Sequence, residues 1–131
     1  MKFVVVAAIA VVLSIPAMAE DAATYATPMT DKYSQKELMK NWALSSCFYA
    51  IAKDLKTKED ASDTASAYAE FGHSQLQAYQ ELEKLVNKFV AKKYGGSIPS
   101  EFNTMKCIDL YHSKELDQLV TKLLKTKFTP Q

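Results

Sequence analysis

Four side chains in this sequence are suited to nucleophilic or metal chemistry: Cys47, Cys107, His73 and His112. Nucleophilic catalysis needs a free thiolate beside a base. Zinc needs closely spaced ligands such as C-x-x-C or H-x-x-x-H, and the chain has neither pattern. A third cluster, Glu59, Asp60 and Asp63, places three carboxylates near a predicted helix start, where the helix dipole accounts for them without a metal or a catalytic pair. Both histidines fall at predicted helix boundaries, which suits exposed or capping roles. The chemistry of the cysteines depends on the compartment in which the chain folds.

The N-terminus answers that question. Lys2 precedes an apolar stretch from Phe3 to Ile15, broken only by Ser14, and Ala17-Met18-Ala19 forms an A-x-A cleavage pattern. We read residues 1–19 as a signal peptide cleaved after Ala19; the stretch is short for a span that takes about 20 apolar residues. Export to an oxidising compartment turns a lone pair of thiols into a disulfide, Cys47 to Cys107. It closes a loop of about 60 residues, which the loop-entropy relation values at roughly 4 kcal/mol. With both thiols committed, no catalytic constellation is left, and the expectation is a protein that is not an enzyme and needs no cofactor.

Composition narrows the partners. All 16 basic residues are lysine, and the 131-residue chain has a formal net charge of +1. Loss of the leader removes Lys2 and leaves 15 lysines against 15 acids. A neutral chain without arginine argues against nucleic acid and against an anionic membrane surface after cleavage, so a partner must be read by a local surface. A hydrophobic share of 48% and only three glycines and four prolines exclude disorder.

One domain, residues 20–131, must hold these features, and its pattern is all-α: a compact bundle of about five helices after a loose arm at residues 20–33. The exported part has only three valines and three isoleucines, and between Met29 and Tyr94 it has no proline and one glycine, Gly72. Ser34-x-x-Glu37 reads as a capping box for a first helix carrying Leu38, Trp42, Leu44, Cys47, Phe48, Ile51 and Leu55 toward Lys56. Thr57 starts a second helix that stops at Gly72. Ser74 caps a third through Leu82, Phe89 and Tyr94, with Lys92 and Lys93 in its last turn and Gly95-Gly96 as terminator. Ser100 or Glu101 opens a fourth through Phe102, Met105, Cys107, Ile108, Leu110 and Tyr111, and Ser113 caps a fifth.

Between the third and fourth helices, Tyr94, Gly95, Gly96, Ser97, Ile98, Pro99, Ser100 and Glu101 form a loop where turn formers crowd together. Ile98 is an apolar residue among them. It either folds back as a helix staple or projects toward a partner, and Pro99 lowers the entropy lost if it docks.

Three stretches then resemble a known family: Asn41-Trp42-Ala43-Leu44-Ser45-Ser46-Cys47, Ala65-Ser66-Ala67-Tyr68-Ala69-Glu70-Phe71-Gly72, and Phe102 through Cys107 to Leu116. They are similar to type VI secretion amidase immunity proteins of the fourth group, over nearly all of Asn41 to Val120. The resemblance implies a periplasmic helical protein that protects its own cell by binding a papain-like peptidoglycan amidase effector delivered by neighbouring cells. It further implies a homodimer, in which a helix and a projecting loop engage the toxin so that the loop occludes the catalytic cleft. We take residues 94–101 as that loop, and the third helix as part of the dimer interface. The alternative is a periplasmic helical chaperone or small-ligand carrier, which also uses a disulfide-stapled helical domain.

Overall fold

The computed structural model describes residues 28–128. Among them, five α-helices follow a single 3-10 turn at Thr30–Lys32: α1 Gln35–Ile51, α2 Leu55–Phe71, α3 Leu76–Val90, α4 Asn103–His112 and α5 Lys114–Leu123. The all-α expectation and the Cys47–Cys107 bridge both hold. The signal peptide and the cleavage site after Ala19 lie outside the described residues. So does the arm up to residue 27; its remainder carries the 3-10 turn and ends with Tyr33 edge-on to Tyr68 of α2.

α1 is the axis of the bundle, since α2, α3, α4 and α5 all pack against it. Its start is set by the Ser34/Glu37 capping box, in which the Ser34 hydroxyl accepts from the Glu37 N–H and the Glu37 carboxylate accepts from the Ser34 N–H. Being contacted from several sides, α1 is apolar over much of its circumference and buries Leu38, Met39, Ala43 and Cys47. Met39 was absent from the face read in the sequence, because a helix apolar nearly all round gives no single stripe to follow. α3 and α5 are one-sided by contrast: Tyr79, Leu82, Val86 and Phe89 fall on one face of α3, and Leu116, Val120 and Leu123 on one face of α5.

Several boundaries differ from the sequence reading. α1 stops at Ile51, and Leu55 is the exposed first residue of α2. The cap of α2 is Asp54, whose carboxylate accepts from the Thr57 N–H at 2.9 Å, so Thr57 lies inside the helix. Asp54 therefore meets the positive helix end that was assigned to Glu59, Asp60 and Asp63, which sit farther along. Ser74 is not a cap; its hydroxyl lies 3.6 Å from Met39 Sδ, and Gln75 occupies the cap position. Gly72 does end α2, though with φ −81° it uses no left-handed freedom. It is required for space, because a Cβ there would lie 2.5 Å from the buried Tyr79 hydroxyl.

The disulfide joins the later half of α1 to the middle of α4, with Cα atoms 5.6 Å apart and both cysteines fully buried. With Cys107 and Leu110 both facing inward, the 100° step per residue also turns Lys106 inward and carries Met105 and Ile108 out. The sequence reading listed both of those apolar residues along the helix without assigning them a face.

Charged pairs hold α5 to its neighbours. Lys40 of α1 donates to Asp117 at 2.9 Å, and Lys88 of α3 donates to Glu115 at 2.7 Å. Hydrogen bonding to Lys40 holds Asp117 below the usual carboxylate range, and hydrogen bonding to Lys88 does the same for Glu115. The cap partners Ser34 and Thr57 likewise lower Glu37 and Asp54. Depressed folded values mean that this stabilisation is complete above the unfolded carboxylate values of about 4 and is lost as pH falls through the lower folded ones.

Two measurements check this account. In urea unfolding, removing the bridge with Cys47→Ala and Cys107→Ala lowers stability by about 4 kcal/mol; a loss below about 1 kcal/mol would contradict its structural weight. In thermal melts, Tm falls as pH drops below about 4, whereas a Tm that rises on acidification would contradict the four carboxylate assignments.

Candidate functional site

The segment singled out by turn formers is a loop at one end of the bundle, running from the end of α3 at Val90 to the start of α4 at Asn103. α3 stops earlier than its sequence suggests. Ala91 is its last cap, so Lys92, Lys93 and Tyr94 lie beyond the helix rather than in its final turn. The Val90 carbonyl, one of the orphan acceptors of a helix end, accepts from Lys106 Nζ at 3.3 Å.

From Gly95 to Glu101 every residue is exposed, and Tyr94 is half-buried. Ile98 settles the choice left open by its sequence: with 68% of its surface exposed, it projects and is no helix staple. Exposing an isoleucine costs roughly what burying it would gain, about 1.5–3 kcal/mol.

The loop returns to the bundle through Phe102, the one non-glycine residue with positive φ among the described residues, at φ 52° and ψ 36°. The left-handed region costs an aromatic residue about 1–2 kcal/mol, and local contacts offset it. The Phe102 N–H donates to the Ser100 hydroxyl at 3.1 Å, and the ring covers Gly96, where an added Cβ would sit 3.0 Å from Cζ. Here glycine is needed for close approach. Beside the loop, Lys53, Ser100, Glu101, Phe102, Met105 and Ile108 line a shallow depression. Met105 and Ile108, on the outer side of α4, are each about half exposed.

Three α4 contacts escaped the sequence reading. Lys106 is 6% exposed and donates to both the Val90 carbonyl and Asn103 Oδ1, the latter at 3.0 Å. Asp109 accepts from the Tyr94 hydroxyl at 2.6 Å, and this bond pushes the phenol above its usual range, keeping it a donor. The inward turn of Lys106 was available from its helical register with Cys107 and Leu110; the partners on Val90 and Tyr94 were not, because they depend on how α3 and α4 meet.

Nothing in this surface is arranged for bond-breaking chemistry. Both cysteines are in the disulfide. The His73 backbone N–H donates to Gln35 Oε1, and the His112 ring stands edge-on to Tyr111, far along α4 from the loop. Among the described residues no group of three His, Cys, Asp or Glu side chains could hold a metal ion. What the site offers is a projecting apolar tip on a short, many-stapled loop, which suits insertion into a cleft of another protein.

Comparison with known proteins points the same way. A family model described as type VI secretion system amidase immunity protein, Tai4, matches residues 37–120, which is more than half of the chain. A chain of the Tae4/Tai4 effector–immunity system of Salmonella typhimurium is 47% identical, with TM-score 0.71 over 74% of this chain and 96% of that one. A Serratia marcescens chain, from work on type VI-secreted toxins and self-resistance proteins, is 27% identical with TM-score 0.71 over 77% and 85%. A chain of the Tae4–Tai4 complex of Enterobacter cloacae, 24% identical with TM-score 0.66 over 74% and 99%, shares the fold. No curated protein sequence matches at the same standard. With its helices, its buried disulfide and more than half its length in register, this chain belongs to the type VI secretion system amidase immunity protein family.

Proposed function

We propose that this chain is the periplasmic immunity partner of a type VI peptidoglycan amidase, and that the loop of Tyr94 to Glu101 blocks the amidase's catalytic cleft. The observation that carries the site is Ile98, an exposed isoleucine at the tip of a loop whose rising side is bonded to α4 through Val90 and Tyr94. The Salmonella typhimurium relative, from an effector–immunity pair and 47% identical, supports an amidase of the Tae4 kind as the partner. On this reading the chain acts by steric occlusion and carries out no reaction of its own. The cleft of a papain-like enzyme is a groove, and a loop tip of one isoleucine flanked by Ser97 and Pro99 is narrow enough to enter it while losing little entropy.

Two further parts of the reading concern how the protein is delivered and assembled. The leader, cleaved after Ala19, carries the chain to the periplasm, where the bridge forms and where the amidase acts; no described helix is long and apolar enough to cross a membrane. The functional unit is a homodimer with α3 in its interface, supported by the family resemblance. Nothing in the structure favours a chaperone or small-ligand carrier, so that alternative stands only as an outcome of the test.

The test is co-purification of the mature, disulfide-intact protein with a Tae4-type amidase, read together with residual peptidoglycan cleavage. A stable complex with one immunity chain per amidase and lost cleavage is expected. Replacing Gly95 to Ser100 by a neutral linker of equal length abolishes inhibition and leaves the thermal melt unchanged. Inhibition that survives this replacement would overturn the loop as the blocking element, and weak binding to many unrelated clients would favour the chaperone reading.

A further inference from the structure

We infer that Tyr94, Asp109 and Lys106 are positioning residues, which hold the inhibitory loop in its projecting form before the amidase arrives. This rests on the loop-occlusion reading given above and adds to it the device that makes the loop ready. A loop of exposed glycine, serine and proline residues carrying one isoleucine has every reason to collapse, since folding Ile98 back onto the apolar Met105 and Ile108 would remove all three from water. It does not collapse. Its rising side is bonded to α4 at Val90 and Tyr94, its returning side is held where it enters α4 by the Phe102 N–H on Ser100 and by Asn103 Nδ2 donating to Glu101 at 2.8 Å, and only the tip between them is free.

Lys106 spans the base. Its ammonium reaches the last residue of α3, Val90, at the carbonyl, and the first residue of α4, Asn103, at the side-chain oxygen. Among the described residues no carboxylate is bonded to this lysine, which is 6% exposed. A buried ammonium satisfied only by neutral acceptors stabilises less than a salt bridge would. Its placement is explained by what it joins: the two residues that bracket the loop. One turn along α4, Asp109 takes the Tyr94 hydroxyl at 2.6 Å and turns the rising strand of the loop toward α4. The returning strand is fixed by Phe102, through its ring on Gly96 and its N–H on Ser100. α4 itself is anchored to the bundle axis by Cys107, the neighbour of Lys106.

A chain populating the projecting form only part of the time binds more weakly by the inverse of that fraction. Removing one staple is therefore expected to weaken amidase inhibition by about 3- to 10-fold without unfolding the bundle. The experiment uses the mature disulfide-bonded protein with Tyr94→Phe and, separately, Lys106→Met, and reads three quantities: the thermal melt, amide hydrogen exchange of Gly95 to Ser100 in the free protein, and the concentration giving half-inhibition of a Tae4-type amidase. Tyr94 is half-buried outside any helix, so its variant keeps the fold whatever the fate of the buried Lys106 variant. The expected result is an unchanged melt for Tyr94→Phe, faster exchange confined to the loop, and the weaker inhibition stated. Unchanged exchange in the Tyr94 variant would overturn the pinning. Faster exchange with unchanged inhibition, while loop replacement abolishes inhibition, would overturn the positioning role and leave occlusion standing. Full inhibition by the loop-replaced protein would instead overturn occlusion, and with it any role of these residues in inhibition.

Discussion

The bridge between Cys47 and Cys107 ties the axial helix of the bundle to the helix that carries the loop. α1 is the element on which every other helix packs, and α4 is ten residues long, too short to hold its orientation by local propensity. Joining the later half of α1 to the middle of α4 in the core fixes the rotation of α4 about its own axis. That rotation decides the rest of the site: Lys106 and Leu110 turn inward, Met105 and Ile108 turn outward, and Asp109 faces the residue that leaves α3. A domain of this size, in which α2 buries only Ala61 and Ala65, gains from such a covalent constraint what a larger core would supply by itself.

The core and the loop proposed to block the amidase are thereby separated in space. The apolar core runs through α1, α3, α4 and α5, whereas that loop lies between Val90 and Asn103 and contributes no residue to the core cluster. The loop can then vary in sequence to follow a partner without disturbing the bundle, provided that its two ends keep their bonds. This arrangement fits an inhibitor, whose effect depends on presenting a rigid tip of the right shape, and it asks for no catalytic group anywhere in the chain. The neutral charge balance agrees, since recognition through shape and a local apolar tip needs no long-range steering.

Much of the fold was legible in the sequence because its signals are local. The Ser34/Glu37 box, the Ser113 cap, the one-sided faces of α3 and α5, and the pairing of two cysteines all depend on residues near one another or on simple counting. The boundary of α2 was missed because Asp54 and Thr57 are both good caps, and only the course of the chain after Ile51 chooses between them. The outward turn of Met105 and Ile108 was legible from Cys107 and the helical period, but apolar character argued the other way. At the candidate site, the loop itself was marked by its glycines, serines and proline. Its staples were not, because the Tyr94–Asp109 and Lys106–Val90 contacts join residues on different elements, and the left-handed Phe102 has no signature in residue type.

The central claim is that an amidase is silenced by the loop of this chain filling its cleft. The most direct measurement is amide hydrogen exchange of the disulfide-bonded protein with and without a Tae4-type amidase that it inhibits. The account predicts that protection gained on binding centres on Gly95 to Ser100 and extends to the outer side of α4 at Met105 and Ile108. Protection confined to another face of the bundle, with the loop amides exchanging as fast as in the free protein, would contradict it.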